Sequence, residues 1–268
     1  MSPRASKHAA APPPPVAPAD RFKRLELPDD DFPYYQGWPV WISGRQWALV
    51  LVVLAAAFGF LLVSPFNGDY SIFITAFVFS LAPLVALYAV AHPGWTAIFR
   101  RLTWRHIMWG IAFGLINVVV SWILGGIVTV IAETSANAAT QSITEKAAPE
   151  IVAKFASVAV QLFGEELLTI LPLLALMYLF SAKMKWSRKK ALVWAWIISA
   201  IIFALVHLPT YDWNIIQCLV VIGGARLILS LAYIKTKNIW ASTIAHVLND
   251  WVLLTLPFFS VAVSNSLT

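Results

Sequence analysis

Charge is scarce in this chain. Only 12% of its 268 residues are Asp, Glu, Lys or Arg, while 60% are hydrophobic, and a soluble domain has no means of covering that much apolar surface. Cysteine is scarcer still. Cys218 stands alone, which excludes an intrachain disulfide framework, and its place inside an apolar run reads as a small packing residue. No cleavable leader is read either. No short apolar run with a small-residue cleavage site follows the first basic residues, so the first apolar run is expected to stay as an anchor.

What is present is a series of long apolar runs. A hydrocarbon core ~30 Å thick needs about 20 mostly apolar residues per crossing, and seven such runs can be read: Trp47 to Val63, Ser71 to Ala91, Ile107 to Ala132, Ile151 to Phe180, Ala191 to His207, Trp213 to Ile234 and Ile239 to Phe258. The expected fold is therefore all-α, a multi-pass transmembrane helix bundle of about seven spans. Residues 1–45, proline-rich and charged, read as a disordered cytosolic tail. Residues 46–132 hold three N-terminal spans, 133–150 a polar extracytoplasmic loop, and 151–268 the last four spans.

The net charge of +6 raises the question of nucleic acid, and the placement of the charges answers it. Of 19 Lys and Arg, 16 fall on one side of a seven-span arrangement: six before the first span, then Arg100, Arg101 and Arg105, the cluster from Lys183 to Lys190, and Lys235 and Lys237. Lys146 and Lys154 lie opposite, and Arg226 lies within a span. This asymmetry is the positive-inside pattern and not a binding patch. It predicts a multi-pass protein of the cell membrane with a cytoplasmic N-terminus and an extracytoplasmic C-terminus, in contact with lipid and not with nucleic acid.

The first three spans read as packing and anchorage. Aromatic residues sit near their ends, Gly110, Gly114, Gly125 and Gly126 mark places where helices can approach closely, and Asn117 reads as an interhelical hydrogen bond.

The last four spans are different. They carry Glu165 and Glu166, His207, Arg226, His246 and Asp250, and each ionisable group in hydrocarbon costs roughly 2.5–3.5 kcal/mol on insertion scales. Either they form buried ion pairs that hold helices together or they form a site. Adjacent helical residues point about 100° apart, so Glu165 and Glu166 must serve different partners. His246 and Asp250 are i and i+4 on one face, with Asn249 beside them. Phe203 lies one turn before His207, and Pro209 ends that helix close to the imidazole.

A glutamate pair, then Phe-x-x-x-His, then His-x-x-x-Asn or Asp on successive membrane helices resembles the intramembrane proteases of the CAAX-protease and bacteriocin-processing enzyme family. Here the motifs are Glu165-Glu166, Phe203 to His207 and His246 to Asp250. The resemblance implies a four-helix catalytic core in the last four spans, an endopeptidase activity, and a membrane-associated peptide or protein as substrate. It also implies roles. Glu165 would be the general base acting on water, His207 would help hold that water, and His246 with Asn249 or Asp250 would face the oxyanion. Either a neutral Asp250 donates, or an ionised one orients His246 while Asn249 donates.

The family's first motif continues Glu-Glu-x-x-x-Arg, and the arginine position here is Ile170. Glu166 then needs burial in neutral form or another cation, and Arg226 is the candidate. Glu165, His207 and His246 would also make a His/His/Glu set for zinc with an open coordination position, although the soluble signature His-Glu-x-x-His is absent. Two readings of other classes stay beside the protease: a non-proteolytic scaffold or immunity-type protein of the same fold, and a proton-coupled transporter, for which no inverted repeat is visible.

Depth conflicts with this site. At ~1.5 Å per residue, Glu165 and His207 lie about 24 Å from the cytoplasmic ends of their spans, whereas His246 lies about 10 Å and Arg226 about 13 Å from theirs. In a bundle with flush ends the two halves would miss each other.

Overall fold

The structure is a computed structural model and describes residues 20–28, 31–63, 69–135 and 148–266. Among these the secondary structure is helical, with seven long helices: α1 (Gly44–Val63), α2 (Asp69–Ala91), α3 (Trp104–Ile131), α4 (Ala148–Met177), α5 (Arg188–Val206), α6 (Gly223–Thr236) and α7 (Ile239–Ser266). Wider turns extend α4 through Tyr178–Lys183 and lead into α6 over Cys218–Ile222. By length and composition, six segments can cross a membrane: α1, most of α2, α3, α4 with its extension, α5, and the run Ile215–Thr236 that ends in α6.

Helix ends follow local chemistry. Pro209 cannot continue α5, which stops at Val206 and passes into the short turn Leu208–Tyr211. Pro83 and Pro172 sit inside α2 and α4, a placement membrane helices tolerate because their neighbours restore the lost backbone partner. Asn214 caps the short turn before α6 by accepting the backbone N–H of Gln217 at 3.0 Å.

The third span does more than anchor. A Cβ built on Gly110 would stand 2.7 Å from the carbonyl oxygen of Ala241, and one on Gly114 would stand 2.9 Å from that of Ala245. Only glycine lets α3 lie this close to α7, next to the turn that carries His246. Gly125 and Gly126 face open space instead, so no close approach occurs there. Asn117 is fully buried, and both atoms of its amide lack a hydrogen-bond partner among the described residues. The expected interhelical bond is not made.

The largest correction concerns the tail. Residues 1–19 and 136–147 lie outside the described residues, as do 29–30, but residues 20–28 and 31–43 pack as a folded segment. Phe32, Tyr34, Tyr35 and Ile42 are each at most 2% exposed and belong to the main apolar core. Proline and charge make this stretch read as disordered, yet its aromatics supply enough burial to offset ordering.

Its charges are buried as well. Glu26 meets Arg188 at the start of α5 and Lys237 at the α6–α7 turn, the latter at 3.0 Å, and Asp31 meets Arg188 at 2.7 Å. The ring of Phe32 lies under both cations, 5.2 Å from each. The segment also closes the backbone of the turn: the Leu27 N–H donates to the carbonyl of Lys235 at 3.0 Å, and Lys235 Nζ donates to the carbonyl of Arg24 at 2.6 Å.

This arrangement removes the depth conflict. The helix ends are not flush: residues 234–239 are all buried, so the α6–α7 turn is recessed within protein. Residues 20–28 and 31–43 fill the recess beneath it. Lys235 and Lys237, which read as loop charges, are inside the molecule.

A pH dependence follows. Burial by itself would raise the Glu26 carboxyl, but the hydrogen bond from Arg188 and the charges of Lys237 and Arg188 hold it at about 2, below the ordinary 4.5. Lys237 carries the opposite burden, since burial and the nearby Arg188 outweigh Glu26 and pull it down to about 8. Because the folded value of Glu26 is depressed, its stabilising contribution is complete above about pH 4.5 and is lost as pH falls toward 2. In detergent, the melting temperature of the parent should drop between pH 5 and pH 3. Glu26→Gln should start lower and drop less over that interval, and equal slopes for the two proteins would count against the pair.

Candidate active site

Glu165 and Glu166 sit in the middle of α4 and point to different partners, as their 100° offset requires. Glu166 is fully buried and turned toward α6 and α7. Its Oε1 accepts Arg226 Nη1 at 2.7 Å and His246 Nδ1 at 2.9 Å, and its Oε2 accepts Arg226 Nη2 at 2.9 Å. This is a two-pronged guanidinium–carboxylate contact. Arg226, three turns back from the end of α6, therefore supplies the cation that Ile170 cannot. Ile170 itself is buried in the apolar core. The guanidinium also lies over the ring of Phe203, 4.8 Å from its centre, and reaches toward Ser230 Oγ at 3.5 Å.

Glu165 faces the other way. Gln161, one turn earlier on α4, donates from Nε2 to Glu165 Oε1 at 2.9 Å. That leaves Oε2, which has His207 Nε2 and His246 Nε2 each at 3.8 Å. Both imidazoles are fixed from behind. His207 Nδ1 donates to the carbonyl of Phe203 at 2.7 Å, the i−4 contact at the end of α5, and its ring packs on that of Phe203 with centres 4.4 Å apart. His246 Nδ1 is held by Glu166. With each Nδ1 occupied as a donor, each Nε2 is presented to the same carboxylate oxygen.

Asp250 stands one turn beyond His246, with Oδ1 at 3.7 Å from His246 Nε2. Asn249 Nδ2 donates to that same Oδ1 at 2.9 Å. Asn249 thus directs an N–H at Asp250, and not at the Glu165 oxygen.

These groups line one cavity of about 330 Å³. Its inner end is formed by Glu165, Phe203, Arg226 and His246. Toward the outside it is bounded by Ser121 and Trp122 of α3, Lys154 of α4, and Thr210 and Tyr211 after α5. These are the ends of the helices farthest from residues 20–43. Ser135 and Gln217 tie the end of α3 to the turn before α6 by a pair of bonds of 2.9 and 3.0 Å.

Every ionisable member of this cluster is legible in the sequence, whereas Gln161 is missed there, its i−4 spacing from Glu165 being the one available sign. The wall that α3 provides is missed as well. Zinc would need closer donors. Two ligands of a tetrahedral zinc stand about 3.3 Å apart, the Glu165 to histidine separations are 3.8 Å, and no group of three such side chains among the described residues meets metal-site geometry. These two separations are about 0.5 Å wider than a tetrahedral zinc holds its ligands. Each separation of 3.8 Å between Glu165 Oε2 and a histidine Nε2 is one that a shared water can bridge at ordinary hydrogen-bond distances.

Fold and site together define a polytopic membrane protein with a carboxylate–histidine centre buried in its last four long helices. No curated protein and no solved structure matches the chain. Residues 147–252 match the family model described as Type II CAAX prenyl endopeptidase Rce1-like, so that segment of the chain is similar to this family. The matched residues run from the start of α4 to just beyond Asp250, so they contain the whole cluster.

Proposed function

We propose that the protein is an intramembrane endopeptidase in which Glu165 activates water for attack on a peptide carbonyl. The observation that carries this reading is the convergence of two histidine Nε2 atoms on one oxygen of a glutamate at the inner end of a cavity. An ion pair built only to join helices would consume its carboxylate, as Glu166 does. Glu165 Oε2 is instead left facing the cavity.

In the proposed reaction, water bound among Glu165 Oε2, His207 Nε2 and His246 Nε2 gives a proton to Glu165. Its oxygen bonds to the carbonyl carbon, and the carbonyl electron pair moves to oxygen. His246, flanked by Glu166 and Asp250 and charged in this step, donates from Nε2 to the resulting oxyanion. Collapse breaks the C–N bond, and the leaving amine takes the proton from Glu165. Glu166 has no vacant oxygen for this chemistry, so its role is to position His246 and Arg226. Asp250 adds negative charge next to the imidazolium, and Asn249 holds Asp250 in place. The substrate class this reading supports is a membrane-associated peptide or protein; the deciding experiment is hydrolysis by the purified parent set against Glu165→Gln.

We further propose that the cavity opens away from the cytoplasm. Basic residues concentrate at the end of the bundle that residues 20–43 close, and the positive-inside pattern makes that the cytoplasmic end. The mouth at Trp122, Lys154 and Thr210 lies at the other end. In a Cys218→Ser background, Thr210→Cys should react with a membrane-impermeant maleimide added to intact cells, and Lys183→Cys only after permeabilisation. The reverse pattern would refute this sidedness.

A further inference from the structure

The buried residues of α3 are Gly110, Gly114, Asn117, Ser121 and Val128, at i, i+4, i+7, i+11 and i+18. That spacing is one helical face. Its first two members meet α7 in step: a Cβ on Gly110 would lie against Ala241, and one on Gly114 against Ala245 and Leu248, four residues further along both helices. The two helices therefore run in the same direction, and one more turn brings Asn117 to the level of Leu248 and Asn249. Ser121, one turn after Asn117, lines the cavity together with Asn249. Asn117 thus stands just behind the cavity wall, on a helix outside the matched residues 147–252.

Two amides at this level carry unpaired atoms. Asn117, 0% exposed, has neither Nδ2 nor Oδ1 bonded among the described residues. Asn249, 4% exposed, has its Oδ1 without a partner, while its Nδ2 donates to Asp250 Oδ1 at 2.9 Å. Inside a membrane protein each such atom is costly, because lipid offers it no hydrogen bond. The unpaired set is one donor group and two acceptors. A single water takes up such a set, since it accepts one hydrogen bond and donates two, and buried waters make about three bonds to groups of this kind. A primary amide holds its N–H and C=O side by side. The water can therefore accept from Asn117 Nδ2, donate one O–H to Asn117 Oδ1 and donate the other to Asn249 Oδ1.

Resting on the peptidase reading above, we propose that Asn117 is a positioning residue of the active site, holding one buried water that fixes the Asn249 amide and, through it, Asp250 beside His246. The contacts run from Asn117 through water to Asn249, from Asn249 Nδ2 to Asp250 Oδ1 at 2.9 Å, and from Asp250 Oδ1 to His246 Nε2 at 3.7 Å. Asn249 holds the carboxylate in place only when its own amide is held from the other side. The third helix, which carries none of the reacting groups, thereby enters the reaction at its oxyanion step.

The test has two arms, both on the full chain in nanodiscs. Ile116–Asn117 and Leu248–Asn249 are the single Ile–Asn and Leu–Asn pairs in the sequence, so isotope labelling of these pairs assigns both asparagines by solid-state NMR without any variant. The Asn117 side-chain amide should give a cross-peak to water. A cross-peak straight to Asn249 with none to water, or none to either, overturns the bridge. In the second arm, Asn117→Leu should lower kcat about tenfold and leave KM within about twofold. In an Asn249→Leu background the same change should have almost no further effect on kcat. A contact that merely joins α3 to α7 would slow both backgrounds by the same factor; that result, or parental kcat in Asn117→Leu, overturns the positioning role. Where Asn117→Leu does not fold, Asn117→Ala enters the same cycle. Hydrolysis by the parent no faster than by Glu165→Gln overturns the peptidase reading and the positioning role with it, while the cross-peak still decides whether the two amides share a water.

Discussion

Glu165→Gln should lower peptide hydrolysis by roughly 10²–10⁴-fold, the usual contribution of a positioned general base, with little change in melting temperature. The substitution keeps size and shape, and the Glu165 Oε1 that accepts Gln161 at 2.9 Å is replaced by an amide oxygen able to accept the same bond. Only the capacity to take a proton is lost. Because Glu165 and His207 act on the same water, their losses should not add: Glu165→Gln combined with His207→Ala should be about as slow as Glu165→Gln alone. Product formation from a labelled peptide in nanodiscs measures all three. A Glu165→Gln protein that retains parental turnover would remove Glu165 from the reaction and leave the scaffold reading in its place.

Arg226→Met should be the most damaging single change outside the reacting atoms. The guanidinium and Glu166 are both completely buried and make two contacts of 2.7 and 2.9 Å. Removing one partner leaves a buried carboxylate without its counter-charge, a loss of about 3–5 kcal/mol in comparable buried pairs. His246 shares the same Glu166 oxygen, so its ring should lose its orientation and hydrolysis should fall with stability. Arg226→Met with Glu166→Leu tells the two effects apart. The double variant should recover most of the melting temperature, because no charge is stranded, but not the activity, because His246 Nδ1 has lost its acceptor. Recovery of both would show that Glu166 does not position the imidazole.

Long-range pairing in this protein was legible where a residue had few alternatives. By the resemblance Glu166 needed either burial in neutral form or a cation, Ile170 could not be one, and Arg226, the one basic residue deep in a span, was the candidate; the structure pairs the two. Six of the seven spans were legible for a similar reason, since apolar runs of membrane length admit few readings; the seventh, Ile239 to Phe258, is not among the six segments able to cross a membrane among the described residues. Residues 20–43 were not, because proline and charge mark both disordered chain and tightly turned chain, and only burial of Phe32, Tyr34 and Tyr35 tells one from the other. The depth of the site was missed with them. Equal helix ends were the simplest assumption, and they fail here because Glu26 and Asp31 hold Arg188 while Glu26 also holds Lys237. Asn117 shows the opposite limit: a polar residue in a span predicts a partner, and both of its amide atoms are without one among the described residues.

The cavity meets its floor at the buried contact of Glu166 with Arg226, and behind that floor lies the packed segment from Asp31 to Ile42. A vessel closed at its base is entered and left from its outer end. Whatever is cut off inside must retreat along the path by which it came, past Val158 and Lys154, before another chain can follow. On the proposed function, traffic at the outer end should then limit turnover as much as chemistry at the floor, and the severed fragment should compete with the next substrate.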